Sequence, residues 1–291
     1  MKKNSGSENL SPNRIAFRKF RKNKLAMFGL IVIVVLIVVS IAAPVLTPYD
    51  RDKIDMYSME APPSSEHLLG TDEIGRDVLT RLLYGGRVSL AVGILASLAE
   101  IVIGVVLGAV AGFYGGKVDA VIMRITDVIM CFPFFVVAIV LAAIVGPSMV
   151  NLIFIIAILE WTKIARIVRA EVLSLKERDF ITASRSMGLN EFEIILRHIL
   201  PNTFASIMVF ATLAIANGIL TEAALSFLGM GVRPPQPSWG NMLAAAQSMR
   251  VLQYEWWLWI PQGFMVFITV ISINFLGDGL RDALDPRLKE A

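Results

Sequence analysis

The stretch LAMFGLIVIVVLIVVSIAAPVL, residues 25–46, contains no charged side chain, and its only polar side chain is that of Ser40. An α-helix rises 1.5 Å per residue, so roughly 20 apolar residues cross the hydrocarbon core of a bilayer, which is about 30 Å thick. This run has the length and composition of a membrane-spanning helix. It predicts that the chain is a membrane protein built from helices.

The composition extends this prediction to the whole chain. Of its 291 residues, 56% are hydrophobic and 18% are charged, and the mean hydropathy is +0.67, which is far more apolar than a soluble domain. The pI near 9.0 does not indicate nucleic-acid binding, because the basic residues flank apolar runs. The single cysteine, Cys131, allows no intrachain disulfide, and the sequence shows no metal-site or redox motif. We therefore expect lipid as a partner, but neither nucleic acid nor a bound metal.

Five more apolar runs follow the first, at residues 88–113, 118–145, 151–167, 204–228 and 257–276. A turn at residues 146–148 separates the third predicted span from the fourth. The apolar spacing at residues 78–83 predicts a short interfacial helix before the second span. Six spans in all predict an all-α, polytopic membrane protein.

The basic residues indicate the orientation of these spans. Lysine and arginine cluster before residue 25 and again within residues 163–197. Because basic loops remain in the cytoplasm, both termini and the loop at residues 168–203 are predicted to be cytoplasmic. Acids outnumber bases in residues 47–87, which are placed outside. Four tryptophans are expected to form an outer interfacial belt: Trp239, Trp256, Trp257 and Trp259.

These predictions divide the chain into five parts. A cytoplasmic basic segment (1–24) precedes the first transmembrane helix (25–46) and an extracytoplasmic segment with an interfacial helix (47–87). A core of five transmembrane helices (88–280) includes the cytoplasmic loop 168–203, and a cytoplasmic tail (281–291) ends the chain.

Glycines recur at four-residue spacing in the second predicted span, at Gly104, Gly108 and Gly112. They fall on one face of a helix and leave a smooth backbone stripe there. Such stripes let a neighbouring helix approach closely. We predict that these three glycines form a helix-packing surface.

Residues 177–202, ERDFITASRSMGLNEFEIILRHILPN, interrupt the apolar runs with charge but keep a helical pattern. Residues 173–187 contain neither glycine nor proline, and Gly188 is placed to end that helix. Asn190 and Glu193 have the spacing of a capping box. The segment therefore predicts two helices around a glycine hinge.

The second of these helices is amphipathic. Its apolar residues fall at positions i, i+3, i+4 and i+7 of one stripe: Phe192, Ile195, Leu196 and Ile199. Pro201 is expected to end or kink the helix. The stripe needs a cover, and the bilayer surface, the chain's own helices and a partner protein all remain open.

Four acidic residues fall in or near the apolar runs: Glu100, Asp127, Glu160 and Glu222. Ionisable side chains are costly in a membrane and often mark the path of an ion or substrate. They can instead face the bundle interior and pair with bases such as Arg124 or Lys163. A proton-coupled carrier would use such acids directly, so this function class stays open.

An enzyme is a weaker interpretation of this sequence. Its only two histidines, His67 and His198, belong to no metal-ligand or nucleophile constellation. We therefore expect no catalytic residue.

The charged segment also resembles a known signature. TAS at residues 182–184, Gly188 after three residues, and HILP at residues 198–201 after nine more are similar to the cytoplasmic loop of ATP-binding-cassette importer permeases. That motif is written E-A-A, three residues, G, nine residues, I, one residue, L-P. The positions that fit are Ala183, Gly188, Leu200 and Pro201, and those that depart are Thr182, Ser184 and His198.

The resemblance extends over about residues 23–289. HLLGTDEIGRDVLTRLLYGGRVSLAVG, GFYGGKVDAVIMRITDVIMCFP, LSFLGMGVRPPQPSWGNML and NFLGDGLRDALDPRLK occur in order and resemble the second permease subunit of oligopeptide, dipeptide and nickel importers, the oligopeptide permease C type. The resemblance implies a type I ATP-binding-cassette importer permease fold with a cytoplasmic coupling-helix loop, in a bacterial or archaeal cell membrane.

The resemblance also implies partners. They are a second homologous permease, two cytoplasmic ATPases that hold ATP and Mg²⁺, and an extracytoplasmic substrate-binding protein. The residues implied to couple to the ATPases are Thr182, Ala183, Ser184, Gly188, Leu200 and Pro201. The sequence lacks G-x-x-x-x-G-K-[ST], so ATP is expected on another chain. Peptides are the expected cargo, with nickel or glutathione as alternatives.

Overall fold

The structure is a computed structural model that describes residues 12–284. Predictions for residues 1–11 and 285–291, which include part of the basic N-terminal segment and most of the C-terminal tail, lie outside the described residues. Within the described residues the only strand-like pairing is an isolated bridge between Thr71 and Asp77. The predicted all-α class is confirmed.

The first half of the described chain contains α1 (Pro12–Lys22), α2 (Lys24–Ile41), α3 (Ala43–Leu46), α4 (Val78–Tyr114), α5 (Gly116–Met130) and α6 (Phe134–Val145). The second half contains α7 (Met149–Lys176), α8 (Asp179–Ser186), α9 (Glu191–Ile194), a π-helix (Ile195–Ile199), α10 (Leu200–Phe227), α11 (Trp239–Leu243), α12 (Met249–Tyr254) and α13 (Ile260–Leu284). Short 3₁₀ helices at Ala244–Gln247 and Trp256–Leu258 flank α12.

The predicted number of six spans is not confirmed. Four helices among residues 12–284 are long and apolar enough to cross a membrane: α2, α4, the helix Glu191–Phe227 and α13. The pair α5 and α6 raises this number to five if the two count as one span. The fourth predicted span lies in α7, which has 28 residues but carries Glu160, Lys163 and Arg166, so its composition differs from that of the others.

The third predicted span is broken rather than continuous. α5 and α6 meet at an angle of 87° across residues 131–133. Pro133 has no N–H to donate and disfavours a helical conformation at Phe132 before it. The apolar run at residues 118–145 therefore contains a bend, which its hydropathy does not predict.

The second span begins earlier than predicted. α4 runs through all of Val78–Tyr114, a length of 37 residues, so the expected interfacial helix at residues 78–83 is its first part. The Asp77 carboxylate caps it by accepting hydrogen bonds from the N–H and the hydroxyl of Thr80, both at 2.7 Å, as N-cap residues do.

α4 is the centre of the bundle. It packs most extensively on α7 and also on α10 and α2, while α13 packs on α2 and α10. The two ends of α4 carry different structures. Residues 47–77 and 228–259, which we call the cap, lie where α4 begins, and residues 177–202 lie where it ends.

Two of the four tryptophans lie in the cap core. Trp239 is buried, and its indole N–H donates to the Leu82 carbonyl at 3.0 Å. Trp257 is also buried, whereas Trp256 is exposed. The predicted interfacial belt is therefore wrong for Trp239 and Trp257, whose large apolar rings pack in the cap core instead.

Candidate functional site

Residues 177–202 form a helix, a tight turn and a second helix. α8 ends at a turn around Gly188, whose φ is +83°. The N–H of Leu189 donates to the Ser184 carbonyl at 3.2 Å, and that of Gly188 to the Arg185 carbonyl at 3.0 Å. This pair of bonds is the Schellman motif, whose left-handed position favours glycine.

The second helix begins at Asn190, whose side-chain oxygen accepts from the N–H of Glu193 at 2.8 Å. It continues through the π-helix Ile195–Ile199 into α10. The wider turn accommodates Pro201, which lacks an N–H and whose ring collides with the preceding turn of a regular α-helix. The Asn202 side chain donates to the His198 carbonyl at 2.6 Å. Pro201 thus alters the helix without ending it.

The apolar residues of this second helix face two directions. Ile194, Ile195 and Ile199 are buried against the bundle. Phe192 and Leu196 are exposed, by 67% and 47%. The predicted single stripe through Phe192, Ile195, Leu196 and Ile199 is wrong, because the π-helical turn contains more residues than an α-helical one and rotates the faces that follow.

Four large apolar side chains of residues 177–202 are exposed, those of Phe180, Met187, Phe192 and Leu196, and we call the last three the exposed set. Met187 is 74% exposed and lies beside the turn that joins the two helices. The sequence pattern places Phe192 and Leu196 on one apolar stripe with the buried isoleucines. It does not predict that Met187 is exposed beside them. Large apolar side chains gathered on a surface often mark a binding site for another protein.

The residues implied by the loop signature occupy different environments. Thr182, Ala183, Gly188 and Pro201 are exposed, Leu200 is half-buried and Ser184 is buried. The Ser184 hydroxyl donates to the Phe180 carbonyl at 2.8 Å. Their shared segment thus presents a solvent face around α8 and the glycine turn.

This segment is fixed firmly to the bundle. Ile181, Ile194 and Ile199 join one buried cluster with Phe113 of α4. The Lys176 ammonium, at the end of α7, donates to the Phe113 carbonyl at 2.5 Å. These contacts join residues 177–202 to α4, α7 and α10 through close-packed side chains.

The glycines at positions 104, 108 and 112 of α4 pack against α7. A Cβ atom on each would fall close to a backbone oxygen of α7, between 2.5 Å at Gly108 and 2.9 Å at Gly112. No side chain fits at such distances. The close approach of α4 and α7 therefore depends on the absence of side chains at these positions.

Two of the four acids near the apolar runs form ion pairs. Asp127 of α5 accepts from the Arg166 guanidinium at 2.5 Å, so its base is Arg166 rather than Arg124. Glu160 accepts from Lys163 at 2.5 Å, one turn along the same helix. The first pair joins α5 to α7, and the second lies within α7.

The other two acids are buried. Glu100 lies within α4. Glu222 of α10 is completely buried and accepts hydrogen bonds from the hydroxyls of Ser89 and Ser226, both at 2.7 Å. The Ser89 oxygen in turn accepts from the backbone N–H of Trp239 at 3.0 Å. Glu222 thus joins α4, α10 and α11 through a polar network that sequence periodicity does not indicate.

Histidine and cysteine side chains lie outside any grouping that resembles a metal site. Among residues 12–284, no three His, Cys, Asp or Glu residues gather as metal ligands do. His67 contacts Asp77 in the cap, with 2.9 Å between Nδ1 and Oδ1. Cys131 is exposed at the bend between α5 and α6.

Long apolar helices, close helix packing and a charged helical segment at one end define a polytopic α-helical membrane protein. Residues 104–290 match the family described as binding-protein-dependent transport system inner membrane component. Residues 11–63 match the N-terminal TM domain of oligopeptide transport permease C. The chain belongs to this family of transport permeases.

Curated relatives share this sequence over most of its length. A dipeptide transport system permease protein, DppC, of Alkalihalophilus pseudofirmus is 44% identical over 96% of this chain and 91% of its own. The oligopeptide permease OppC of Bacillus subtilis is 40% identical over 97% of this chain and 92% of its own. A glutathione permease, GsiD, of Pectobacterium atrosepticum is 43% identical over 96% and 92%.

A solved structure shares the fold. It is described as inward facing conformations of the MetNI methionine ABC transporter, with a TM-score of 0.54 and 19% identity over 71% of this chain and 97% of that chain. The expected importer permease fold is thereby confirmed.

Proposed function

We propose that this chain is a permease subunit of an ATP-driven importer of peptides. It forms the translocation path with a second, homologous permease and opens it alternately to the two sides of the membrane. The names of the dipeptide and oligopeptide relatives support the substrate class. Nickel and glutathione remain the alternative cargoes, and the glutathione relative favours the second, since glutathione is itself a short peptide.

The observation that carries this proposal is the exposed set, two of whose residues, Phe192 and Leu196, lie on a helix that continues into the bundle. Met187, Phe192 and Leu196 offer an apolar contact surface amid charge. The helix Glu191–Phe227 has 37 residues, about 55 Å at 1.5 Å per residue. A force applied near Phe192 therefore reaches the cap along one continuous element.

The remaining partners follow from the same proposal. Residues 177–202 and both termini face the cytoplasm of a bacterial or archaeal cell, as their basic flanks favour. Two ATPase subunits bind ATP and Mg²⁺ and dock on residues 177–202, and an external binding protein delivers substrate to the cap. This chain transports without hydrolysing ATP itself, because its sequence lacks the phosphate-binding loop motif.

Transport in proteoliposomes tests the proposal. The chain is reconstituted with its second permease, the ATPases and the binding protein, and uptake of labelled dialanine is measured. We expect uptake that requires ATP and is unaffected by an uncoupler. Unlabelled dialanine should compete, whereas Ni²⁺ should not, and competition by glutathione would identify the alternative cargo.

The buried acids Glu100 and Glu222 define the rival function, a proton-coupled carrier. In that mechanism the pH gradient drives transport. Uptake that persists without the ATPases and stops with the uncoupler would contradict the proposed function.

A further inference from the structure

A cavity of about 580 Å³ opens in the cap beside the start of α4. This volume lies within the range of small-molecule binding sites. Six charged residues line it, three acids and three arginines: Glu60, Asp72, Glu73, Arg76, Arg81 and Arg250. Their formal charges cancel, so the charge of a fitting ligand depends on which of these groups lacks a partner in the protein.

The arginines of this lining already have carboxylate partners. Arg76 and Arg81 approach Asp72, with nitrogen–oxygen distances of 2.7 Å and 3.5 Å. Arg250 contacts Glu60. The positive charge of the lining is therefore matched within the protein.

Two hydrogen-bond acceptors of the lining have no donor within the described residues. Gln262, at the start of α13, is 1% exposed, and its Oε1 atom accepts no hydrogen bond. Glu73 is exposed, and it has no ion pair or hydrogen bond within residues 12–284. A buried acceptor without a donor is costly. A ligand that completes this site must therefore donate hydrogen bonds and carry positive charge.

We propose that the cap cavity binds a short peptide by its free amino terminus, with Gln262 Oε1 accepting from the ammonium group and Glu73 supplying the opposite charge. The choice of a peptide rests on the proposed function. An ammonium group offers three donors, which matches a site with vacant acceptors.

Calorimetric titration of the full-length chain in lipid nanodiscs tests this site without the ATPases. The probes are trialanine and N-acetyltrialanine, which lacks the ammonium group. We expect saturable binding of trialanine. The affinity for the acetylated peptide should be lower by a factor of about ten or more, as expected for the loss of a charge-assisted hydrogen bond. Gln262→Leu and Glu73→Gln should weaken trialanine binding, whereas Glu66→Gln, an exposed cap acid outside the cavity, should not.

Equal affinity for the two peptides, or no saturable binding of trialanine, would overturn the proposal. So would a Gln262→Leu variant that keeps its affinity for trialanine but loses docking of the binding protein, since a lysine of that protein would then be the donor. The comparison of the two peptides on the unmodified chain needs no variant to fold. ATP-driven uptake is measured in a separate experiment. A cavity that binds no peptide would therefore overturn this proposal without overturning the proposed function.

Discussion

Replacing Gly188 with valine is expected to reduce ATP-driven peptide uptake by about tenfold, because a left-handed backbone costs an L-residue roughly 1–2 kcal/mol and a β-branched one more. Gly188 has a φ of +83°, and a Cβ atom there would meet nothing within 4 Å. The penalty is therefore conformational rather than steric. It falls on the turn that orients Met187 and Phe192, so coupling suffers before folding does. Uptake and ATP hydrolysis are measured together in proteoliposomes.

Gly188→Asn is the matched control, since asparagine tolerates the left-handed region and also ends helices in this way. We expect it to keep most of the uptake. A valine variant that transports as well as the unmodified chain would show that this turn geometry is unimportant for coupling.

Replacing Gly108 with leucine should disrupt the bundle itself. A Cβ atom at Gly108 would lie 2.5 Å from the Ala165 carbonyl oxygen and 3.0 Å from its Cα. Backbone atoms cannot rotate away, so α4 and α7 must separate. Overpacking of this kind costs about 1–3 kcal/mol or more. We expect a clear fall in the melting temperature of the purified chain in detergent, together with lower yield.

Gly263→Leu provides the control for this substitution. Gly263 also lies in a helix, but the nearest atom to its Cβ would be Leu243 Cδ2, at 3.8 Å. A Cβ atom there makes only ordinary van der Waals contact, so the melting temperature of this variant should stay closer to that of the unmodified chain than the melting temperature of Gly108→Leu. Equal melting temperatures for the two variants would contradict the packing of α4 on α7.

Local chemistry made much of this fold predictable. The first apolar run, the helix stop at Gly188 and the cap at Asn190 depend on residues near in sequence, and each has a counterpart in the structure. The glycine spacing in α4 likewise identifies a smooth face. It cannot identify α7 as the neighbour, because helix pairing depends on residues far apart in the chain.

The errors arise where tertiary context or a single residue overrides a pattern. Pro133 bends the third apolar run although its neighbours are hydrophobic. The interfacial helix expected at residues 78–83 and the span expected from residue 88 are one helix, α4, which continues through Gly85 and Gly86. A Cβ atom at Gly86 would meet the Ser40 side chain of α2. Packing from distant segments thus sustains a helix that local propensity disfavours.

The candidate site was predictable in part for the same reason. Its helix–turn–helix form follows from periodicity, but the faces of the second helix do not, because the π-helical turn before Pro201 rotates them. The cap cavity could not be predicted. Gln262 and Glu73 are far apart in sequence, and only the packing of the cap on α4 and α13 brings them to one cavity.

Binding of the ATPase subunits to the permease tests the central claim most directly. The ATPases are co-purified with the unmodified chain, with the double variant Met187→Asp/Phe192→Asp, and with the control Met249→Asp/Tyr254→Asp. The control residues have similar exposure, 68% and 71%, and lie in the cap at the opposite end. We expect loss of the ATPases from the first variant and full retention by the control. Retention by both variants would contradict docking on residues 177–202.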